Sequence, residues 1–213
     1  MNWVDFVLIA LLLTAIIIGS KKGLVRELSA FAVVFAVIIF TVNYIDSFAV
    51  WVNDKLGGSP LISAFVSFIL LLAFSYGLFK LLAYLFYKVA SIKSSGTRDQ
   101  VGGAIVGLAR GWLSIGLLTL VVFLLPMPES FYSAFDSSFL GKAVAKTVPL
   151  MYDGTRMMHP ANPDFMQKME STLLTSSDKG RSHSQGRALD SNREEVYRVM
   201  YQIDRFFGNT GGS

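Results

Sequence analysis

Cysteine is absent from this chain, so no disulfide framework, thiolate nucleophile or cysteine-ligated metal can enter its chemistry. Histidine is nearly as scarce. His159 stands before a proline in a loop and His183 lies in a polar stretch, and neither has a metal or triad partner nearby in sequence. Charge is also thin: 16% of the residues are charged, against a usual share of about one quarter, while 53% are hydrophobic. No nucleophile motif stands out, and residues 126–213 are too few for a fused protease domain. No enzyme site and no cofactor are expected.

The hydrophobic excess is concentrated in residues 1–125, which hold four long apolar runs at about 3–19, 24–44, 61–79 and 101–125. A spanning helix needs about 20 apolar residues to cross roughly 30 Å of hydrocarbon. The last three runs meet that length. The first is short and carries Asp5 near its start, so a thinned or re-entrant helix is the alternative to a full crossing. No Lys or Arg precedes it and Gly19-Ser20-Lys21 is a poor cleavage site, which argues for a retained span over a signal peptide. Strands of a barrel would alternate apolar and polar, whereas Val33 to Phe40 is apolar on every side. The expectation is an all-α integral membrane protein.

Basic residues sit in the links. Residues 1–125 contain nine Lys or Arg against five acids, while residues 126–213 carry ten of each. The basic pI therefore reflects membrane flanks and gives no support for nucleic-acid binding. Lys21, Lys22 and Arg26 follow the first run, and Lys88, Lys93 and Arg98 precede the fourth, so both links are expected on the cytoplasmic side. Asp46, Asp54, Lys55 and the turn Gly57-Gly58-Ser59-Pro60 face outward in that orientation, and both termini fall outside with them. Tyr76, Lys80, Tyr84, Tyr87 and Lys88 predict a third helix that continues past the bilayer, with rings and snorkelling lysines at the headgroups.

Gly103, Gly107 and Gly111 recur every four residues and strip one helix face of bulk, so another backbone can approach closely. Packing against a neighbouring span is the plainer reading, and a homo-oligomer seam the sharper one. Arg110 lies beside this stripe, where a lone charge costs at least about 2.5–3.5 kcal/mol. Glu27 is its best-placed partner by depth, while Asp99 is too far along the axis. Asp5, at the opposite end of its helix, reads as an interfacial or capping carboxylate.

Asn2-Trp3-Val4-Asp5, Gly19-Ser20-Lys21-Lys22-Gly23-Leu24-Val25-Arg26-Glu27-Leu28 and Asp99-Gln100-Val101-Gly102-Gly103-Ala104-Ile105-Val106-Gly107-Leu108-Ala109-Arg110-Gly111 resemble the motifs of the colicin V production protein (CvpA) family. A serine after the last span, Ser130, also fits that family's pattern, and the likeness covers about residues 1–150. The resemblance implies a multi-pass protein of the bacterial inner membrane, linked to production or export of the peptide toxin colicin V and to envelope function. It brings no catalytic residues. By match to the motifs, Asp5, Gly19, Gly23, Arg26, Glu27, Asp99, Gly103, Gly107, Arg110, Gly111 and Ser130 are carried over as structural positions.

The rest divides into a membrane-proximal segment with short helices at 126–175, a flexible linker at 176–190 and an amphipathic helix at 191–208. Phe165, Met169 and Leu173 mark one short helix. Ser191 with Glu194 forms a capping-box pattern, and Val196, Val199, Met200, Ile203, Phe206 and Phe207 share a third of the final helix. Its polar face is evenly charged, unlike a lipid-surface helix, so docking on protein is expected, on this chain or on an envelope partner. Two functions compete: a non-enzymatic accessory or scaffold, and a small channel or transporter component with a polar route near Arg110, Glu27 and Asp99.

Overall fold

The computed structural model describes residues 2–56, 60–89, 96–155, 164–179 and 187–208. The turn at 57–59, Lys93 and both histidines lie outside the described residues, as do residues 180–186 of the expected linker and the side chains of Tyr87, Lys88 and Ser191. All described elements are helical: α1 Trp3–Lys22, α2 Leu24–Leu56, α3 Pro60–Val89, α4 Thr97–Phe123, α5 Glu129–Asp136, α6 Gly141–Ala145, α7 Thr147–Gly154, α8 Phe165–Lys179 and α9 Arg187–Phe207.

The first four are long and apolar enough to cross a membrane. Helix α1 starts on a capping box, with the Asn2 side chain accepting from the Val4 amide at 2.9 Å and Asp5 from the Asn2 amide at 3.1 Å. Its 20 residues span about 30 Å, the full hydrocarbon thickness without surplus. The second and third helices, of 33 and 30 residues, exceed the expected spans of 24–44 and 61–79 and run to about 50 and 45 Å. Continuation of α3 past Phe79 follows the Tyr76–Lys88 pattern. Extension of α2 to Leu56 has another cause, since its C-terminal half is packed by α8.

The helices stand in a row: α4 lies between α1 and α2, and α2 between α4 and α3. Both outward faces are rich in exposed apolar side chains such as Phe6, Ile17, Ile62, Phe74, Leu81, Ile105 and Leu118. In water such a surface would be a large liability; lipid covers it here. At one end, which we call the hinge end, the single residue Gly23 joins α1 to α2. Over the other, capped end fold α5 to α9.

The cap is built on aromatic rings. Phe123, at the last residue of α4, is fully buried, with the rings of Phe131, Tyr132, Phe135, Phe206 and Phe207 centred 5.0–5.7 Å from its own. Phe165 continues the cluster between Tyr152 and Phe207. Val196, Val199, Ile203, Phe206 and Phe207 are buried within this chain, and Met200 is half-buried against the same core. Of the two surfaces expected to receive this face, this chain or an envelope partner, it packs on this chain's own cap. Among the described residues three ion pairs pin the cap: Lys168 to Asp46 of α2 at 2.8 Å, and both Lys142 and Arg205 to Asp136 at 2.9 Å. Hydrogen bonds from Lys142, followed by the charges of Lys142 and Arg205, hold the Asp136 carboxyl below its ordinary range. Burial, reinforced by nearby carboxylates, pushes the Tyr152 hydroxyl up to about 12.

Two boundaries differ from expectation. The eighth helix runs through 176–179, the first residues of the expected linker, and α9 begins at Arg187. Ser191 is thus inside α9 and its pairing with Glu194 is no N-terminal box. Arg187, Ala188 and Leu189 are good helix formers and carry the helix upstream of the capping signal.

Candidate functional site

Two polar clusters mark the membrane domain, one at each end of α1. The hinge end is organised by glycine. Gly23 has φ of 83°, a left-handed conformation that side chains rarely adopt, and it ends α1 and starts α2 within one residue. Asp99, in the first turn of α4, reaches across and accepts from the Leu24 amide at 2.7 Å. A carboxylate from one helix thereby satisfies an orphan donor at the head of another. A Cβ on Gly23 would collide with that carboxylate.

Next to the hinge, α1 and α4 run antiparallel in near backbone contact. A Cβ on Gly19 would fall on the Gly103 carbonyl and 2.8 Å from the Gly107 Cα; one on Gly107 would lie 2.8 Å from the Ala15 oxygen. A Cβ on Gly111 would meet that of Ala15. The stripe is filled by α1 of the same chain, the plainer of the two readings of this face. Closeness of this kind is how membrane helices gain van der Waals contact without help from the hydrophobic effect.

The approach sets the third feature. Glu27, one turn into α2, is fully buried, and its Oε2 accepts from Arg110 Nε at 2.7 Å. Lys22 Nζ stands 3.6 Å from Oε1, which accepts no hydrogen bond among the described residues. Arg110 points back toward the hinge, as helical side chains do, and meets its counter-charge near the membrane edge. Asp99, engaged with Leu24, is not part of this pair.

At the capped end Asp5 is buried and does more than cap α1. Its Oδ1 accepts from Ser138 Oγ at 2.7 Å and the Leu140 amide at 3.1 Å, while Asn2 Nδ2 donates to Ser137 Oγ at 2.9 Å and to the Ala134 carbonyl. The start of the chain is thereby tied to the turn between α5 and α6. Two carried-over residues join neither cluster: Arg26 is exposed, and Ser130 is exposed in the first turn of α5. Ser138 is the serine that the fold brings to Asp5. Its partner lies 133 residues away, and no local pattern distinguishes it from its neighbours Ser133 and Ser137.

A family model described as colicin V production protein matches residues 4–149. The chain belongs to the colicin V production protein family. It is a multi-pass membrane protein by its four apolar helices. No curated protein and no solved structure matches the chain. The family match includes both polar clusters apart from Asn2 and ends within α7, so α8 and α9 lie beyond it. Among the described residues no group of three or more His, Asp or Glu is placed to hold a metal ion.

The hinge of this colicin V production family member yields a direct prediction. Asp99→Ala removes a cap and is expected to cost about 0.5–2 kcal/mol. Gly23→Ala should cost more, because it adds both a strained φ and a collision with the carboxylate. In the double variant the collision is relieved while the φ cost stays, so the combined loss should be less than the sum. Thermal unfolding of the four proteins in detergent measures this directly, and strict additivity would refute the contact.

Proposed function

We propose that the chain is a non-enzymatic accessory or scaffold of the bacterial inner membrane, serving production or export of the peptide toxin colicin V and wider envelope function. The observation that carries this reading is the closed ion pair between Glu27 and Arg110. A charged group inside a membrane protein usually marks a pathway or a structural pair. Here the carboxylate is fully buried and meets the guanidinium within hydrogen-bond distance, which supports the second. The alternative route through Arg110, Glu27 and Asp99 loses its third member to the Leu24 amide.

In this reading the basic hinge faces the cytoplasm, with Lys21, Lys22 and Arg26 at one leaflet, and the cap with both termini faces the periplasm. Partners meet the outward side of the cap, where Tyr197 and Tyr201 are exposed on α9. The family name, rather than any geometry, supplies the link to colicin V. Reconstitution in liposomes tests the scaffold reading. Imposed ion and small-solute gradients should decay no faster than in empty liposomes, and a flux that Arg110→Ala abolishes would establish the conduit instead.

A further inference from the structure

We propose that α6 and α7 are embedded in the bilayer leaflet at the capped end, so that the surface they turn outward is a lipid-contact surface and the protein carries a fifth membrane-inserted element that does not span.

Depth comes first. The two helices do not sit beyond the end of α4 but against its C-terminal half. A Cβ on Gly116 would lie 3.1 Å from the Val144 oxygen and 3.4 Å from the Thr147 Cβ, and Trp112 Nε1 donates to Thr147 Oγ1 at 2.7 Å. Gly116 stands about 26 Å along the helix from Asp99 and about 10 Å short of Phe123. The other wall is α1, whose length just matches the hydrocarbon, so its first turn must lie at the boundary if it crosses. Asp5 in that turn holds the entry to α6 through Ser138 and Leu140. The antiparallel pairing of Gly19 with Gly103 and Gly107, and of Ala15 with Gly107 and Gly111, continues toward the cap. It places Gly116 about 4 Å and Trp112 about 10 Å deeper than Asp5.

The outward surface agrees with that depth. Along α5 the exposed residues are Glu129, Ser130 and Ser133, a face suited to water. From there to the end of α7 the exposed residues are Ser137 and Phe139, the latter at 84% in the turn before α6, then Lys142 and Ala143 of α6, and Leu150, at 59%, and Gly154 of α7. Phe139 and Leu150 lie on either side of Lys142, whose partner Asp136 is at the same end, and such a mixed surface suits the headgroup–acyl boundary, into which an amphipathic element sinks about 5–10 Å. Trp3 and Phe6 of α1, likewise exposed, belong to the same end and extend the apolar surface onto a spanning helix. The backbone can tolerate this position. Leu140 N is satisfied by Asp5 and Gly141 N by Ser138 Oγ at 2.9 Å, so two of the amides at the start of α6 are paired within the protein.

The cysteine-free chain allows a clean test. Single variants Phe139→Cys and Leu150→Cys of the full chain carry nitroxide labels in vesicles of phosphatidylethanolamine and phosphatidylglycerol, and collision with oxygen is compared with collision with a water-soluble nickel complex. Ile105→Cys, exposed on α4, serves as the lipid reference and Ser133→Cys on α5 as the water reference. The oxygen-to-nickel ratio at 139 and 150 should approach that at 105 and exceed that at 133 several-fold. A lipid value at 105 with water values at 139 and 150 overturns the proposal while leaving the four spans intact. Shielding of 139 and 150 from both reagents also overturns it, in favour of a protein partner or a second copy. A water value at 105 removes the spans and the proposal together.

Discussion

Gly107→Leu is expected to abolish the folded membrane domain, whereas Gly77→Leu leaves it unchanged. Both replace a helical glycine with the same side chain, and both gain helix propensity of about 1 kcal/mol over glycine. They differ only in what the new atoms meet. At Gly77 a Cβ finds nothing within 4 Å, on a helix face turned to lipid. At Gly107 it lies 2.8 Å from both the Ala15 oxygen and the Gly19 Cα, which are backbone atoms that no rotamer change can move. Overpacking against movable side chains costs about 1–3 kcal/mol, and here α1 as a whole must withdraw, so about 3 kcal/mol or more is expected. Withdrawal would also pull Asp5 from Ser138 and Leu140 at the far end of the helix. Yield of monodisperse protein in detergent and its midpoint of thermal unfolding measure the contrast. Equal behaviour of the two variants would mean that α1 does not pack on this stripe.

That seam was legible in the sequence as a stripe with an unnamed neighbour. Spacing of four residues fixes which glycines share a face, but nothing local says which helix fills it; the partner proved to be α1, whose own Gly19 supplies the matching gap. The Arg110–Glu27 pair was readable for a different reason. Both residues lie in apolar runs, where an unpaired charge is so costly that depth alone narrows the choice of partner. The cap was the least readable part. An amphipathic face states that something covers it, not what, and Phe206 and Phe207 reach Phe123 across more than eighty residues of chain. Helix ends were misplaced where local signals were overruled: Ser191 has the right neighbours for a cap, yet good helix formers precede it. Ser138 and the role of Asp99 at Leu24 went unseen because each depends on a contact between elements distant in sequence.

Removing one member of the buried ion pair should be far worse than removing both. Glu27→Leu leaves Arg110 within the membrane domain without its carboxylate, and Arg110→Leu leaves a fully buried carboxylate with Lys22 as its cation among the described residues, 3.6 Å away and half exposed. Breaking a buried pair from one side costs about 3–5 kcal/mol, since the survivor keeps its desolvation penalty. The double variant Glu27→Leu/Arg110→Leu carries no such survivor and should recover most of that loss, whereas Lys22→Ala should stay within about 1 kcal/mol as an exposed partner. Unfolding in detergent of the two single variants and the double variant gives the coupling energy as a cycle. The same double variant separates the two functional readings. If the pair only fixes the register of α2 against α4, a chain with leucine at both positions folds and still supports toxin production in cells lacking the native protein. If the charges carry a proton or an ion, the double variant folds equally well and does nothing. A folded but inactive double variant would therefore overturn the scaffold reading even where the stability cycle behaves as expected.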